Sequence, residues 1–148
     1  MAALKKYLKK KKYIPIPLTL TATHHLEVNA SINGVSGRFI LDTGASNSCV
    51  GLDKIAYFHL VSKESEVKAA GAGSSNMDTQ LSTKNALKIG DWKQKKLKII
   101  LFNLQHINEA LTAHEALPVD GIIGADVLQR GRAIIDYKTA TLYLKKKK

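Results

Sequence analysis

Short runs in which apolar and polar residues alternate predict a protein built mainly of β-strands. Leu26–Ile32 has the period of a strand with one buried face, and Asn33-Gly34 follows it. This dipeptide is typical of a tight hairpin, because a type I′ turn needs positive φ at both central residues. Val35–Leu41 then predicts the returning strand. Its apolar end, Phe39-Ile40-Leu41, is typical of a strand buried on both faces.

The rest of the chain predicts further strands and a few short helices. Strand patterns cover residues 14–23, 92–104, 133–136 and 141–144, with a turn at Gly90-Asp91 and a buried apolar step at 121–124. Helical spacing covers residues 52–60, 107–117 and 125–129, and Gly131 is expected to end the last of these helices. The predicted class is mostly β, in one domain with two or three short helices.

The charge of the chain is concentrated at its two ends. The 148 residues carry a net charge of +11, and all 12 acidic residues lie between two lysine runs. Six basic residues fall within residues 5–12 and four are residues 145–148, which leaves 13 basic residues in the body. We therefore expect a basic N-terminal tail at residues 1–12, a folded domain at 13–144 and a lysine tail at 145–148. Lysine runs of this kind usually form solvated tails, so no specific nucleic acid is expected as a partner.

The sequence also predicts a cytoplasmic protein. No stretch has the roughly 18 apolar residues that a membrane-spanning helix needs. Residues 5–12 resemble the basic start of a signal peptide, but the next segment has two prolines and alternating threonines, which suit an edge strand better. The single cysteine, Cys49, excludes an intramolecular disulfide and suits a reducing compartment.

One segment places a carboxylate where it could serve a chemical function. In residues 39–46, a buried apolar run leads directly into Asp42, and Thr43-Gly44 follows. A carboxylate at the end of a hydrophobic strand is costly unless hydrogen bonds stabilise it, and a glycine lets backbone N–H groups approach it. For the isolated triplet, an Asx-turn without any function is the favoured interpretation, because such triplets arise often by chance.

A second segment, about eighty residues later, favours a functional aspartate over a functionless Asx-turn. Residues 119–128, Val-Asp-Gly-Ile-Ile-Gly-Ala-Asp-Val-Leu, follow residues 39–46 in an order and at a spacing that resemble the retropepsin-like aspartic peptidases. Residues 134–136 match the closing hairpin of that family. The resemblance covers roughly residues 14–144 and implies a retropepsin-like closed β fold.

The resemblance also implies roles for individual residues. Asp42 aligns with the catalytic aspartate, Thr43 with the residue that bonds across the dimer axis, and Gly44 with the glycine that packs there. Asp126 is expected to hydrogen-bond the active-site loop. The substrate-covering flap of the family aligns with a small, polar segment that contains Gly71, Ala72, Gly73, Ser74 and Ser75.

The chemistry implied by the resemblance needs two carboxylates that share one water. The chain has one Asp-Thr-Gly, so a second copy must supply the other Asp42, which predicts a homodimer that hydrolyses peptides or proteins. Ala45 stands where pepsin-like enzymes have a hydroxyl that lowers the pKa of the dyad, so activity is expected from mildly acidic to near-neutral pH. Family termini interleave at the dimer base, and the lysine runs would therefore weaken the dimer at low salt.

Other kinds of function have weaker support in the sequence. The five histidines lack metal-ligand spacing, and we take them for ordinary surface or core residues, with no metal or cofactor expected. Cys49 has no evident base partner and is interpreted as a structural thiol. A retropepsin fold that binds peptides or partners without cleaving them remains an alternative, since the flap lacks an aromatic residue. The lysine tails could also attract membranes or RNA weakly.

Overall fold

The structure is a computed structural model that describes residues 2–64 and 79–146. Three helices lie at Ala2–Lys10 (α1), Gln105–Ala113 (α2) and Ala125–Arg130 (α3). Eleven strands lie at Tyr13–Pro17 (β1), Thr19–Leu20 (β2), Leu26–Ile32 (β3), Val35–Leu41 (β4), Cys49–Gly51 (β5), Lys63–Glu64 (β6), Gln80–Ile89 (β7), Trp92–Phe102 (β8), Gly121–Ile123 (β9), Ile134–Asp136 (β10) and Thr141–Lys145 (β11).

Six of the strands close into a barrel. Their order is β3-β4-β9-β5-β8-β7, and β7 pairs back to β3 through Ser31–Lys88 and Ile32–Leu87. The short strands β2 and β6 extend this sheet beside β3 and β7. The prediction of a mostly β, closed fold is confirmed.

Several local predictions are confirmed as well. Strands β3 and β4 have the predicted bounds, and both residues of the turn between them have positive φ, 53° at Asn33 and 84° at Gly34. Gly90, at φ 57°, begins the turn between β7 and β8. The closing hairpin forms as β10 and β11, and α3 is followed directly by Gly131.

Two parts of the barrel differ from the prediction. The helix predicted at residues 52–60 is wrong: only a 3₁₀ turn at Leu52–Lys54 forms, and irregular turns follow that bring Phe58 and Leu60 into the core. Strand β7 was not predicted, because two bulges flank Asn85 and break the alternation of buried and exposed positions that a regular strand shows.

The barrel interior holds the main hydrophobic core. Trp92, Phe39, Phe58 and Leu101 are each at most 1% exposed. Burial of one large apolar side chain stabilises a fold by about 1.5–3 kcal/mol. A second, smaller cluster lies on the outer side of the barrel between α2 and β9; it contains Ile40, Cys49, Ile100, Phe102, Leu104, Leu111, Ala116, Val119 and Ile122.

The two ends of the chain form a separate small sheet. Strand β11 lies between β1 and β10, and Tyr13 pairs with Lys145. Residues expected to be a basic tail form α1, and Leu8 on this helix is buried. The Lys146 N–H donates to the Lys12 carbonyl at 2.8 Å, so Lys12 and Lys146 lie together at one end of the molecule.

No helix among the described residues has the length and apolar character that would be needed to cross a membrane.

Candidate active site

Strand β4 ends at Leu41, so Asp42 lies at the end of the barrel. The strand runs parallel to β9, with Phe39 opposite Gly121 and Leu41 opposite Ile123. The Asp42 N–H continues this pairing by donating to the Ile123 carbonyl at 3.0 Å. The pairing of β4 with β9 therefore fixes the backbone of Asp42.

The residues after Asp42 form a tight turn around its carboxylate. The Gly44 N–H donates to Asp42 Oδ1 at 2.9 Å, and the Ala45 N–H donates to the Asp42 carbonyl at 3.2 Å. Asp42 itself is half-buried, whereas Thr43 and Gly44 are exposed. The turn thus presents a partly solvated carboxylate at the surface of the single chain.

Two glycines allow the segments around this turn to approach closely. A Cβ on Gly121 would lie 2.2 Å from the Cys49 carbonyl oxygen, and one on Gly124 would lie 2.6 Å from the Ala45 carbonyl oxygen. Both neighbours are backbone atoms, which cannot rotate away as a flexible side chain can. Glycine is therefore required where β9 and the start of α3 pack against the active-site loop.

Asp126 stabilises the end of the active-site loop that contains Ser48. Its Oδ1 atom accepts from the Ser48 hydroxyl at 2.8 Å, and its carboxylate also accepts from the N–H groups of Ser48 and Val127. The Gly124 N–H donates to Ser48 Oγ at 2.9 Å, and the Ala125 N–H donates to the Ala45 carbonyl at 2.7 Å. The prediction that Asp126 hydrogen-bonds the active-site loop is confirmed.

Asp120 performs a similar structural task beside β4. Its Oδ2 atom accepts from the Arg38 N–H at 2.9 Å, and its Oδ1 atom lies 3.5 Å from Lys54 Nζ. The Asp120 N–H also donates to the Arg38 carbonyl at 2.8 Å. Its carboxylate is therefore engaged in bracing the strand that leads to Asp42.

Cys49 lies beneath the loop, opposite Ile122 on β9, and is buried. Burial raises the pKa of its thiol to about 12, and the nearby carboxylates of Asp126 and Asp42 act in the same direction. A thiol of this kind keeps its proton at neutral pH and is a poor nucleophile. This agrees with its interpretation as a structural residue.

The structure brings Asp42, Thr43, Gly44 and Ala45 together on one loop. The predicted flap residues, Gly71 to Ser75, lie outside the described residues. Within residues 2–64 and 79–146, no group of three or more histidine, cysteine or acidic side chains could hold a metal ion.

Ser48 is the site residue that sequence reasoning missed. It is 2% exposed and joins Asp126 to Gly124 through a single hydroxyl. In the sequence it is one of several small polar residues after the Asp-Thr-Gly triplet, and only the fold shows that its partner lies 78 positions away. No local signal identified it.

The sequence and the fold of the chain match those of aspartic proteases. A sequence model of a family described as aspartyl protease matches residues 28–127, which is more than half of the chain. The chain belongs to this family. Membership supports a protease function in general terms. No curated protein matches the chain significantly.

Solved structures show the same fold at low identity. A retropepsin-like aspartic protease from Rickettsia conorii is 20% identical, with 89% of each chain covered and a TM-score of 0.56. The EIAV protease complexed with the inhibitor HBY-793 is 20% identical, with 70% of this chain and 84% of that chain covered and a TM-score of 0.52. The retroviral protease-like domain of Ddi1 from Leishmania major is 20% identical, with 81% and 87% covered and a TM-score of 0.52.

Proposed function

We propose that the protein is an aspartic endopeptidase whose active site forms between two copies of the chain, each of which contributes Asp42. The observation that carries the proposal is the position of Asp42. It stands at the end of a buried parallel strand pair, half-exposed, with its carboxylate held by the Gly44 N–H. A fixed and accessible carboxylate is what general acid–base catalysis requires.

The second carboxylate has to come from outside the single chain. Asp120 and Asp126 are the nearest candidates in the sequence motifs, and both are occupied in bracing β4 and the active-site loop. In the proposed dimer, the exposed Thr43 and Gly44 of one copy face those of the other across a two-fold axis. Each copy then supplies one carboxylate of a dyad.

The chemistry of such a dyad follows from like-charge repulsion. Two carboxylates that share one water at about 3 Å cannot both be ionised, so one holds a proton. The ionised carboxylate takes a proton from the water as the water attacks the scissile carbonyl carbon. The protonated carboxylate donates a hydrogen bond to the carbonyl oxygen and stabilises the tetrahedral intermediate.

The dimer proposal also includes a salt dependence. Strands β1 and β11 pair within the same chain, which brings Lys12, Lys145 and Lys146 together at one end of each copy. A dimer that brings these ends together would be weakened by repulsion that extends over about 10 Å at 0.1 M salt. The expected weak dimer at low salt stays a prediction.

The test is cleavage of a degenerate peptide library by the wild-type protein and by Asp42→Asn between pH 4 and 8. Asparagine has nearly the same shape as aspartate but cannot act as a base, so Asp42→Asn should abolish cleavage while the fold is retained. Asp91→Asn, an exposed position on the turn between β7 and β8, is the matched control and should keep full activity. Cleavage by purified Asp42→Asn would contradict the assignment. Peptide binding by the wild type without cleavage would favour the non-catalytic alternative.

A further inference from the structure

The two ends of the chain form a strongly basic part of the molecule. Residues 2–17 and 131–146, which make up α1 and the three-stranded sheet β1-β11-β10, contain ten basic residues and one acidic residue, Asp136. Residues 18–130 contain 11 basic and 11 acidic residues, so this long segment carries no net charge. The excess of positive charge therefore belongs to one small part of the fold.

Helix α1 holds four of these basic residues on one exposed face. The helix packs against β1, with Leu8 buried and Leu4 half-buried. The side of α1 that faces solvent, called the lysine face below, carries Lys5, Lys6, Lys9 and Lys10. Since the helix is docked through its apolar side, these four charges are held in a fixed arrangement instead of being spread through a solvated tail.

The arrangement of the lysine face opposes the stability of the fold. Like charges four residues apart on a helix repel, as Lys5 repels Lys9 and Lys6 repels Lys10. The first turn of α1 has no acidic residue, and Lys5 in that turn opposes the helix dipole. Neither of the two ion pairs among the described residues involves this face. Helix stability therefore does not explain these lysines, and a local arrangement that costs stability is a sign of function.

The end of the sheet beside α1 shows the same unfavourable arrangement. Lys12 lies opposite Lys146, whose N–H donates to the Lys12 carbonyl at 2.8 Å, and Lys145 is the adjacent residue on β11. Like charges directly opposite each other on neighbouring strands destabilise a sheet. An anionic partner would offset the repulsion in the helix and in the sheet together.

Two tyrosines lie among these lysines. Tyr7 is 58% exposed, and Lys11 Nζ lies 5.6 Å from the centre of its ring. Tyr13 is half-buried, and Lys145 Nζ lies 6.0 Å from its ring centre. Tyrosine combines an apolar ring with a polar hydroxyl, and such side chains concentrate at the boundary between a lipid bilayer and water. The exposed lysines of β7 and β8 form another dense group, but the aromatic residues of those strands are buried.

The side chains of this surface favour lipid headgroups over nucleic acid. Nucleic-acid recognition relies largely on arginine, whose planar guanidinium forms paired hydrogen bonds with phosphates and base edges. Helix α1 contains no arginine, and its lysine face offers ammonium groups alone. Lysine clusters on a helix attract the diffuse negative charge of anionic lipids, which needs no defined hydrogen-bond geometry.

We propose that the lysine face of α1, together with Lys12, Lys145 and Lys146, binds the surface of a bilayer that contains anionic lipids, with Tyr7 among the headgroups. Because Leu8 stays buried in the protein, the contact is mainly electrostatic and is reversed by salt. The proposal does not depend on the peptidase function, since it concerns binding alone.

The experiment measures sedimentation of the intact chain with vesicles of phosphatidylcholine, with or without about 30% phosphatidylserine, at about 0.1 M and 0.5 M salt. The test variant replaces all four residues of the lysine face by glutamine, which is also a good helix former. The control variant carries Lys88→Gln, Lys93→Gln, Lys95→Gln and Lys98→Gln at exposed positions of β7 and β8. Both variants therefore have the same net charge.

We expect the wild type to bind the vesicles that contain phosphatidylserine, not those of phosphatidylcholine alone, and to be released at the higher salt concentration. The lysine-face variant should bind about 100-fold more weakly, and the control variant less than about threefold more weakly. Absence of binding by the wild type would overturn the proposal. Equal losses in the two variants would also overturn it, because net charge alone would then account for the binding.

Tyr7→Ala distinguishes a bilayer from RNA as the partner. A tyrosine among headgroups contributes to vesicle binding, so Tyr7→Ala should weaken that binding about threefold and leave binding to a single-stranded RNA of mixed sequence unchanged. If RNA is the partner, bases stack on Tyr7, and the variant loses RNA binding instead. That outcome would overturn the assignment to lipid.

Urea unfolding of the same proteins tests the cost on which the proposal is based. Removal of the repulsion should leave the lysine-face variant at least as stable as the wild type. A marked fall in its stability would show that these lysines support the fold, and would overturn the argument that they are retained for a partner.

Discussion

Two aspartates, Asp126 at the active-site loop and Asp136 in the closing hairpin, stabilise turns in different ways. Asp126 accepts hydrogen bonds from Ser48, which lies 78 residues earlier in the chain. Asp136 accepts from Lys138 and Thr139, which are two and three residues away. The hairpin turn is therefore a local structure, whereas the active-site loop keeps its shape only when the barrel has formed.

This difference has a functional consequence. The loop that carries Asp42 is connected through Ser48 and Asp126 to α3, and Asp120 braces β4, the strand that leads into this loop. A change in these braces should move the Asp42 carboxylate, while a change in the closing hairpin should leave it in place. Substitution of Asp126 should accordingly lower both stability and activity. Substitution of Asp136 should lower stability alone.

The largest expected effect comes from Asp126→Ala. This change leaves the buried Ser48 hydroxyl and backbone N–H groups without their charged acceptor, which should lower the free energy of unfolding by about 3 kcal/mol. A shift of the loop by about 1 Å can reduce a rate about 100-fold, so kcat/KM should fall strongly as well. Urea unfolding and peptide cleavage measure the two quantities.

Asp136→Ala is the matched control for this prediction. Asp136 is half-buried, and hydrogen bonds from Thr139 and Lys138 lower the pKa of its carboxyl. Its contribution to stability is present at neutral pH and is lost as the pH falls through the lowered pKa. We expect a small loss of stability in Asp136→Ala and no change in kcat/KM; equal losses of activity in the two variants would contradict the comparison.

The next effect concerns α1, at the terminal end. Leu8 is 4% exposed, so Leu8→Ala should lower the free energy of unfolding by about 2–3 kcal/mol. Tyr7 on the same helix is 58% exposed, and Tyr7→Ala should cost less than about 0.5 kcal/mol. Thermal or urea unfolding distinguishes them. If neither variant is destabilised, residues 2–10 behave as the solvated tail expected from the lysine content.

A smaller effect, about 1.4 kcal/mol at pH 10, should appear beneath the active-site loop. The folded Cys49 thiol keeps its proton up to a pKa of about 12, whereas an unfolded chain ionises it near 9.0. Between these values only the unfolded state loses the proton, so the free energy of unfolding falls as the pH rises, by about 1.4 kcal/mol per pH unit. Subtracting the same measurement on Cys49→Ala removes the contribution of lysines and tyrosines. Identical slopes above pH 9 in the two proteins would show that the thiol is not protected.

Most of the barrel could be predicted from the sequence, because alternation and turn residues report local structure. Strands β3 and β4 and the Asn33-Gly34 turn between them had clear patterns. Strand β7 did not, because its bulges shift the alternation, and α1 was hidden by a lysine content that is typical of a solvated tail.

The candidate site shows the same limit. Asp42 and its loop were predictable from the order of two motifs in the chain. The brace at Ser48 was not, since it joins residues from distant segments. Such groups of residues become visible only when the sheet register is known.

The most direct test of the account is the activity of mixed subunits. Wild-type and Asp42→Asn chains are unfolded together in equal amounts, refolded and assayed at a fixed total concentration. If each active site needs Asp42 from two copies, random assortment leaves activity in about one quarter of the dimers relative to wild type alone. A result of one half, as expected for chains that work independently, would contradict the shared active site.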